Sequence, residues 1–182
     1  MIRKLIGITA IYLSVSLCGL AQTERIVILH TNDTHSQMEP FAATHKTYGG
    51  LGGVMRRMAI IDSIRNAEPN VLLVDAGDAI QGTPYFNLFK GDAEFEEMNA
   101  MRYDIRTIGN HEFDAGMTKL AQLIKNSTAD FISSNYDVSH TPLHGTLQPW
   151  VIKKVGKYKI GFLALNVNPD NLVPSESCKG VI

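Results

Sequence analysis

The sequence predicts an α/β fold, a sheet of near-continuous apolar strands covered by helices, and three observations carry that prediction. First, an apolar β-branched run followed by a polar loop and a helical pattern occurs three times in succession. Second, the runs Ile26–Leu29, Val71–Val74 and Ile105–Ile108 lack the strict alternation of a half-wet strand, as in sheets buried on both faces. Third, the segments between them carry apolar residues at helical spacing.

The elements follow in order. After "RIVILHTNDTH" (25–35), Leu51, Val54, Met58 and Ile61 recur at helical spacing, and Pro69 closes that helix. After "NVLLVDAGDAIQG" (70–82) a short helix is expected around Ala93–Met101. After "DIRTIGNHEFD" (104–114) comes a helix in "GMTKLAQLIKN" (116–126). "DFISSN" (130–135) reads as a fourth strand, and "WVIKKVGKYKIGFLALNV" (150–167) as a hairpin turning at Gly156-Lys157.

The first 21 residues stand apart from this plan. A basic start, Arg3 and Lys4, precedes thirteen apolar or small residues (5–17) and then Gly19 and Ala21, the layout of a secretory signal cut between Ala21 and Gln22. Thirteen residues are too few to span a bilayer, so a stable membrane anchor is not expected. The expected product is exported, periplasmic or secreted. Without Arg3 and Lys4, 15 basic side chains face 18 acidic ones. That balance argues against nucleic-acid partners, whose phosphates demand a basic surface. Cys178 alone remains, so no internal disulfide is expected.

The chemistry-bearing residues sit just past each strand: Asp33 and His35 in "NDTH", Asp78 in "GDAIQG", Asn110 and His111 in "GNHEFD". In an open α/β sheet, loops beyond the carboxyl ends of neighbouring strands converge on one crevice. Carboxylate, amide and imidazole meeting there form a mixed oxygen and nitrogen set that suits borderline divalent metals. Asp114, three residues past His111, can reach its imidazole if a turn begins there; Glu112 should point elsewhere and act structurally.

The remaining histidines have plainer readings. His30 is expected to hydrogen-bond beneath the loop, and His45 lies in a loop with no metal-like partner nearby. Pro142 between His140 and His144 makes a shared helix unfavourable, so these too are loop residues. The glycines at 49, 50, 52 and 53 lack the Lys-Ser/Thr of a phosphate loop and are expected to let the chain turn close to the site.

"ILHTNDTH", "GDAIQGTP" and "GNHEFDAG", together with "YGGLGGVMRRMAIID" (48–62) and "FISSN" (131–135), resemble the calcineurin-like metallophosphoesterases. Within them the likeness is to the secreted 5'-nucleotidase/2',3'-cyclic phosphodiesterase family, and it runs from Ile26 to about Val167. It implies a layered metallophosphoesterase-type (αββα) fold with a mixed sheet covered by helices. It implies two divalent metal ions (Zn, Mn, Fe or Mg), with Asp33 and His35 on the first, Asp78 bridging and Asn110 on the second. A hydroxide activated by the two ions would attack phosphorus in a small-molecule phosphoester, a nucleotide by the resemblance, assisted by the catalytic dyad His111 and Asp114.

The family completes its site with later histidines, including Gly-His-X-His, which residues 1–182 do not contain. Residues 22–182 therefore read as the N-terminal portion of such a domain, cut near the middle of its sheet. The alternatives are a separately encoded second half, or a short form that binds metal or phosphate without turnover. A phosphatase for non-nucleotide esters also remains open.

Overall fold

The computed structural model describes residues 23–181. The signal segment read at 1–21 lies outside the described residues. Strand β1 (Val27–Thr31) is followed by helix α1 (Val54–Ala67), β2 (Val71–Asp75), α2 (Pro84–Phe89), α3 (Asp92–Ala100) and β3 (Ile105–Arg106). A 3-10 turn (His111–Ala115), α4 (Met117–Lys125), β4 (Asp130–Phe131) and the hairpin β5 (Trp150–Val155) and β6 (Tyr158–Leu163) complete the main elements.

Strands β1 to β4 form one parallel sheet in sequence order. Its register sets Thr31 beside Asp75, Asp75 beside Arg106, and Arg106 beside Phe131. The hairpin pairs antiparallel, Val155 against Tyr158, and joins the sheet through a parallel bridge between Ile132 and Gln148 and an ion pair of 2.8 Å between Lys153 and Asp130. Gly156 opens its two-residue loop at φ 56°, the positive angle such a turn needs at its first position.

Helix α2 is an element that the sequence pattern does not announce. Pro84 stands in its first turn and the Thr83 hydroxyl accepts from the Tyr85 N–H, a normal N-cap. Lys90 and Gly91, both left-handed, then redirect the chain into α3. Two apolar clusters pack on the sheet. One gathers Ile80, Phe86, Phe95, Ile108, Phe113, Leu120 and Phe131, and the other Ile61, Leu73, Met98, Met101 and Tyr103.

Cover is closest over β2, whose Leu72, Leu73 and Asp75 are buried, and open on one face of β1, where Ile28 is 48% exposed. His30 shares that open face. Alternation along β1 turns Thr31 inward onto Asp75 and Tyr103, so His30 is directed outward rather than into a hydrogen bond beneath the loop. The glycine run folds the 40–53 loop onto itself, where a Cβ on Gly53 would stand 2.9 Å from Pro40 and one on Gly49 2.6 Å from the Ala43 carbonyl, and it brings Gly52 and Gly53 to the wall of the cavity that Asp33 and His35 also line. Among the described residues no helix is long and apolar enough to cross a membrane.

Candidate metal centre

The loops past β1 and β2 lie side by side because their backbones keep pairing after the strands end, and the loop past β3 is joined to them through the Asp78 and Glu112 carboxylates. The N–H groups of Asp33, His35 and Ser36 donate to the carbonyls of Gly77, Asp78 and Ala79 at 2.9–3.0 Å. Asp33, His35, Ser36, Asp78 and Gln81 all adopt positive φ, between 46° and 72°. This conformation costs a non-glycine residue on the order of 1–2 kcal/mol. Five such residues on two adjoining loops are held by that cross-bonding, and backbone strain of this kind gathers at functional sites.

The result is convergence. Ligand atoms of His35, Asp78 and His111 lie within 4.8 Å of one another, and the His35 and His111 rings meet edge to face at 5.1 Å between centroids. His35 Nδ1 is 3.2 Å from the Gln81 carbonyl. A proton on Nδ1 donates there and leaves Nε2 free as a ligand, the usual arrangement of a metal-binding imidazole. His111 Nδ1 is likewise taken, 2.8 Å from Asp114 Oδ2, which leaves its Nε2 facing the shared space. The free imidazole nitrogen of His35 and the half-buried Asp78 carboxylate suit a borderline divalent cation, and His111 Nε2 faces the same space beside them.

The other sequence-predicted residues stand close by in different ways. Asp33 lies outside the tight trio: Oδ1 is 3.7 Å from His35 Nε2, and Oδ2 accepts from the Asn32 side chain at 2.5 Å. Asn110 starts the 3-10 turn at φ −72°, ψ −31°, and its side chain makes no capping bond, so its amide oxygen is not committed to the helix end. His45 and the 140–144 segment are loop residues, and the His45 Nδ1 accepts from Thr47 and Tyr48 N–H groups.

Below the rim is a buried polar layer that sequence reasoning missed. Asp75 is buried and accepts from Thr31 at 2.6 Å and from the Gly77 N–H at 3.2 Å. Burial pushes its carboxyl up against the opposing pull of the Arg106 charge. The Arg106 guanidinium is fully buried on the faces of Phe95 and Phe131, 4.0 and 4.8 Å from the ring centroids. Glu97 bonds Arg57 at 2.5 Å, yet burial and the nearby Glu94 charge outweigh that partner, and its carboxyl is pushed up to about 7. One signal was available for Asp75: a lone carboxylate ending the apolar run "VLLVD" has no solvent to face.

Glu112, as expected, turns away from His111. It is buried and accepts backbone N–H groups from Gly109 (2.5 Å), Ala79 (2.8 Å) and Asp78 (2.9 Å). On the far side, Asn166 beyond β6 accepts from Ser133 Oγ at 2.7 Å and donates to Thr107 Oγ1 at 2.8 Å and to the Ile108 carbonyl. This ties the β3 and β4 ends to the hairpin just below Asn110.

The carboxyl rim of the parallel sheet thus brings His35, Asp78 and His111 to one place. The chain belongs to the calcineurin-like phosphoesterase family, whose profile matches residues 26–172. It is similar to the snake venom 5'-nucleotidase of Crotalus adamanteus, 36% identical over 166 residues that cover 87% of this chain and 28% of the relative. It is also similar to the human 5'-nucleotidase, 38% identical over 146 residues, 76% of this chain and 25% of the relative. Among solved structures, the 5'-nucleotidase precursor of Thermus thermophilus superposes with a TM-score of 0.72 at 38% identity, over 78% of this chain and 28% of that one. The chain thus spans between a quarter and three tenths of these relatives.

Proposed function

We propose that this chain is the ligand-bearing N-terminal portion of an exported, metal-dependent phosphoric ester hydrolase that acts on nucleotides. The single observation that carries the reading is the convergence of His35, Asp78 and His111 within 4.8 Å, with Asp114 behind His111. Asp33 and His35 would hold a first divalent ion, Asp78 would bridge, and Asn110 would hold a second. Zn, Mn, Fe or Mg all suit this donor set in some proportion. Bound there, the ions supply Lewis-acid neutralisation of the phosphoryl oxygens and lower the pKa of water.

The chain's own groups do the rest. Asp114 holds Nδ1 of His111, fixes the ring and steadies its protonated form. Nε2 of the imidazolium then faces the ester and gives its proton to the leaving oxygen. The names of the relatives, 5'-nucleotidases, support a nucleotide as the small-molecule substrate. The acidic balance supports the absence of a nucleic-acid partner. The secretory layout of residues 1–21, together with a relative described as a precursor, supports export to the periplasm or medium.

A second ion held by Asp78 and Asn110 alone has few protein ligands. We therefore place the completing ligands on a further segment, of the same polypeptide or separately encoded. The same partial set favours one alternative, a domain that binds metal or phosphate without turnover. Hydrolysis of AMP and of p-nitrophenyl phosphate in Mn²⁺, Zn²⁺ and Mg²⁺ separates the two. Turnover that Asp78→Asn abolishes together with metal content supports the hydrolase. Stoichiometric metal with no turnover of either ester supports the alternative.

A further inference from the structure

We propose that Glu112 is a positioning residue whose carboxylate locks the Asp78 loop to the Asn110 loop and thereby sets where those two side chains present their oxygens. This rests on the metal reading of Asp78 and Asn110 given above.

The two loops exchange carboxylates. Glu112, on the Asn110 loop, accepts the N–H groups of Asp78 and Ala79 across the gap and of Gly109 within its own loop. Asp78, on the other loop, returns the bond: its Oδ1 accepts the N–H of His111 at 2.9 Å. Each acid therefore caps the backbone that carries the other loop's site residue. The spacing leaves no slack. A Cβ on Gly77 would stand 2.4 Å from the Gly109 nitrogen, and one on Gly109 2.2 Å from Asp78 Oδ1. With the loops at backbone contact, a carboxylate facing three converging N–H groups is the one side-chain type here that accepts from all of them and donates to none.

Glu112 Oε2 serves Gly109 and Asp78, and Oε1 serves Ala79. In Glu112→Gln an NH₂ group must replace one oxygen and confront a backbone N–H, so at least one of the three bonds is lost while side-chain volume is kept. Asp78 is the bridging candidate, and its oxygen toward His111 N–H is fixed by this exchange. Loosening it displaces a ligand without removing any ligand atom.

The test compares wild type and Glu112→Gln in the full chain by amide hydrogen exchange and by Mn²⁺ titration, with far-UV circular dichroism as the check on folding. We expect lost exchange protection confined to Asp78, Ala79 and Gly109, with Leu72 and Leu73 of β2 unchanged. We expect Mn²⁺ affinity to fall about 10- to 100-fold, the range for groups that orient metal ligands. Glu112→Asp, which keeps the charge but shortens the reach, should fall between the two. Mn²⁺ affinity within twofold of wild type, or a loss of protection spread evenly through β2, would overturn the positioning role. A wild-type chain that takes up no Mn²⁺ would instead overturn the metal reading, and the positioning role with it.

Discussion

His111 and Asp114 form a hydrogen-bonded pair within a single 3-10 turn, Nδ1 to Oδ2 at 2.8 Å. Sequence spacing alone makes the contact, because residues three apart eclipse in a 3-10 helix. Phe113, fully buried between them, anchors the turn. The pair is only partly exposed, 30% and 25% for the two side chains, so the imidazole is accessible on the Nε2 side and held on the Nδ1 side. If this pair supplies the proton to a leaving oxygen, His111→Ala should lower kcat by about 10²- to 10⁴-fold. Asp114→Asn should lower it less while leaving Mn²⁺ affinity unchanged. Steady-state hydrolysis of AMP at saturating metal measures both.

The near contact of the two loops predicts steric intolerance at their glycines. Gly109→Ala places a Cβ against Asp78 and should destabilise the fold by about 1–3 kcal/mol, the usual cost of overpacking. Gly161→Ala is the control: among the described residues, no atom outside its two chain neighbours lies within 4 Å of its Cβ position, so the change should stay within about 0.5 kcal/mol. Urea unfolding of the two variants checks the contrast, and equal losses would contradict the packing described for the rim.

Arg106 is held by two aromatic faces and by the charge of Asp75, and its Nε and one terminal nitrogen find no hydrogen-bond partner among the described residues. Removing it strands a buried carboxylate. Arg106→Met should therefore cost about 3–5 kcal/mol, as for other broken buried pairs. Adding Asp75→Asn should recover part of that loss, because the stranded charge is removed too. A double variant no more stable than the single one would show that the ring stacking, not the charge, holds this layer.

Glu97 gives a pH dependence of defined sign. Its folded carboxyl titrates at about 7, against an ordinary value of 4.5. The folded state thus binds the proton more tightly than the unfolded chain, and stability falls as pH rises from about 4.5 to about 7. Glu97→Gln should flatten that part of the profile. Urea midpoints between pH 4.5 and 8 read it directly, and an identical slope in the variant would assign the effect to another buried acid.

The strands and the rim loops were legible because their signals are local. Apolar β-branched runs such as Val71–Val74 commit to a buried sheet, and Asn-His after such a run has no packing use. The hairpin was legible from Gly156-Lys157 for the same reason. Helix α2 escaped because it is six residues long, fewer than two turns, so no apolar stripe can repeat along it. Arg106 escaped because a charge is read as solvent-facing until Phe95 and Phe131, distant in sequence, are known to enclose it. The direction of His30 depends on where β1 ends, and the strand runs to Thr31 rather than stopping at Leu29, which turns that imidazole outward. The left-handed backbone at Asp33, His35 and Asp78 is set by bonds between two loops about forty residues apart, which no local pattern announces.

The proposed hydrolysis depends on a divalent ion bound at the shared rim of β1, β2 and β3. Paramagnetic Mn²⁺ added in substoichiometric amounts to the isotopically labelled chain tests it residue by residue. Amide signals of Asp33, His35, Asp78, Asn110 and His111 should broaden first, while those of His140 and His144 persist, and Asp78→Asn should erase the effect. Broadening centred on His140, His144 or scattered surface carboxylates, or broadening at the rim that survives Asp78→Asn, would contradict the account.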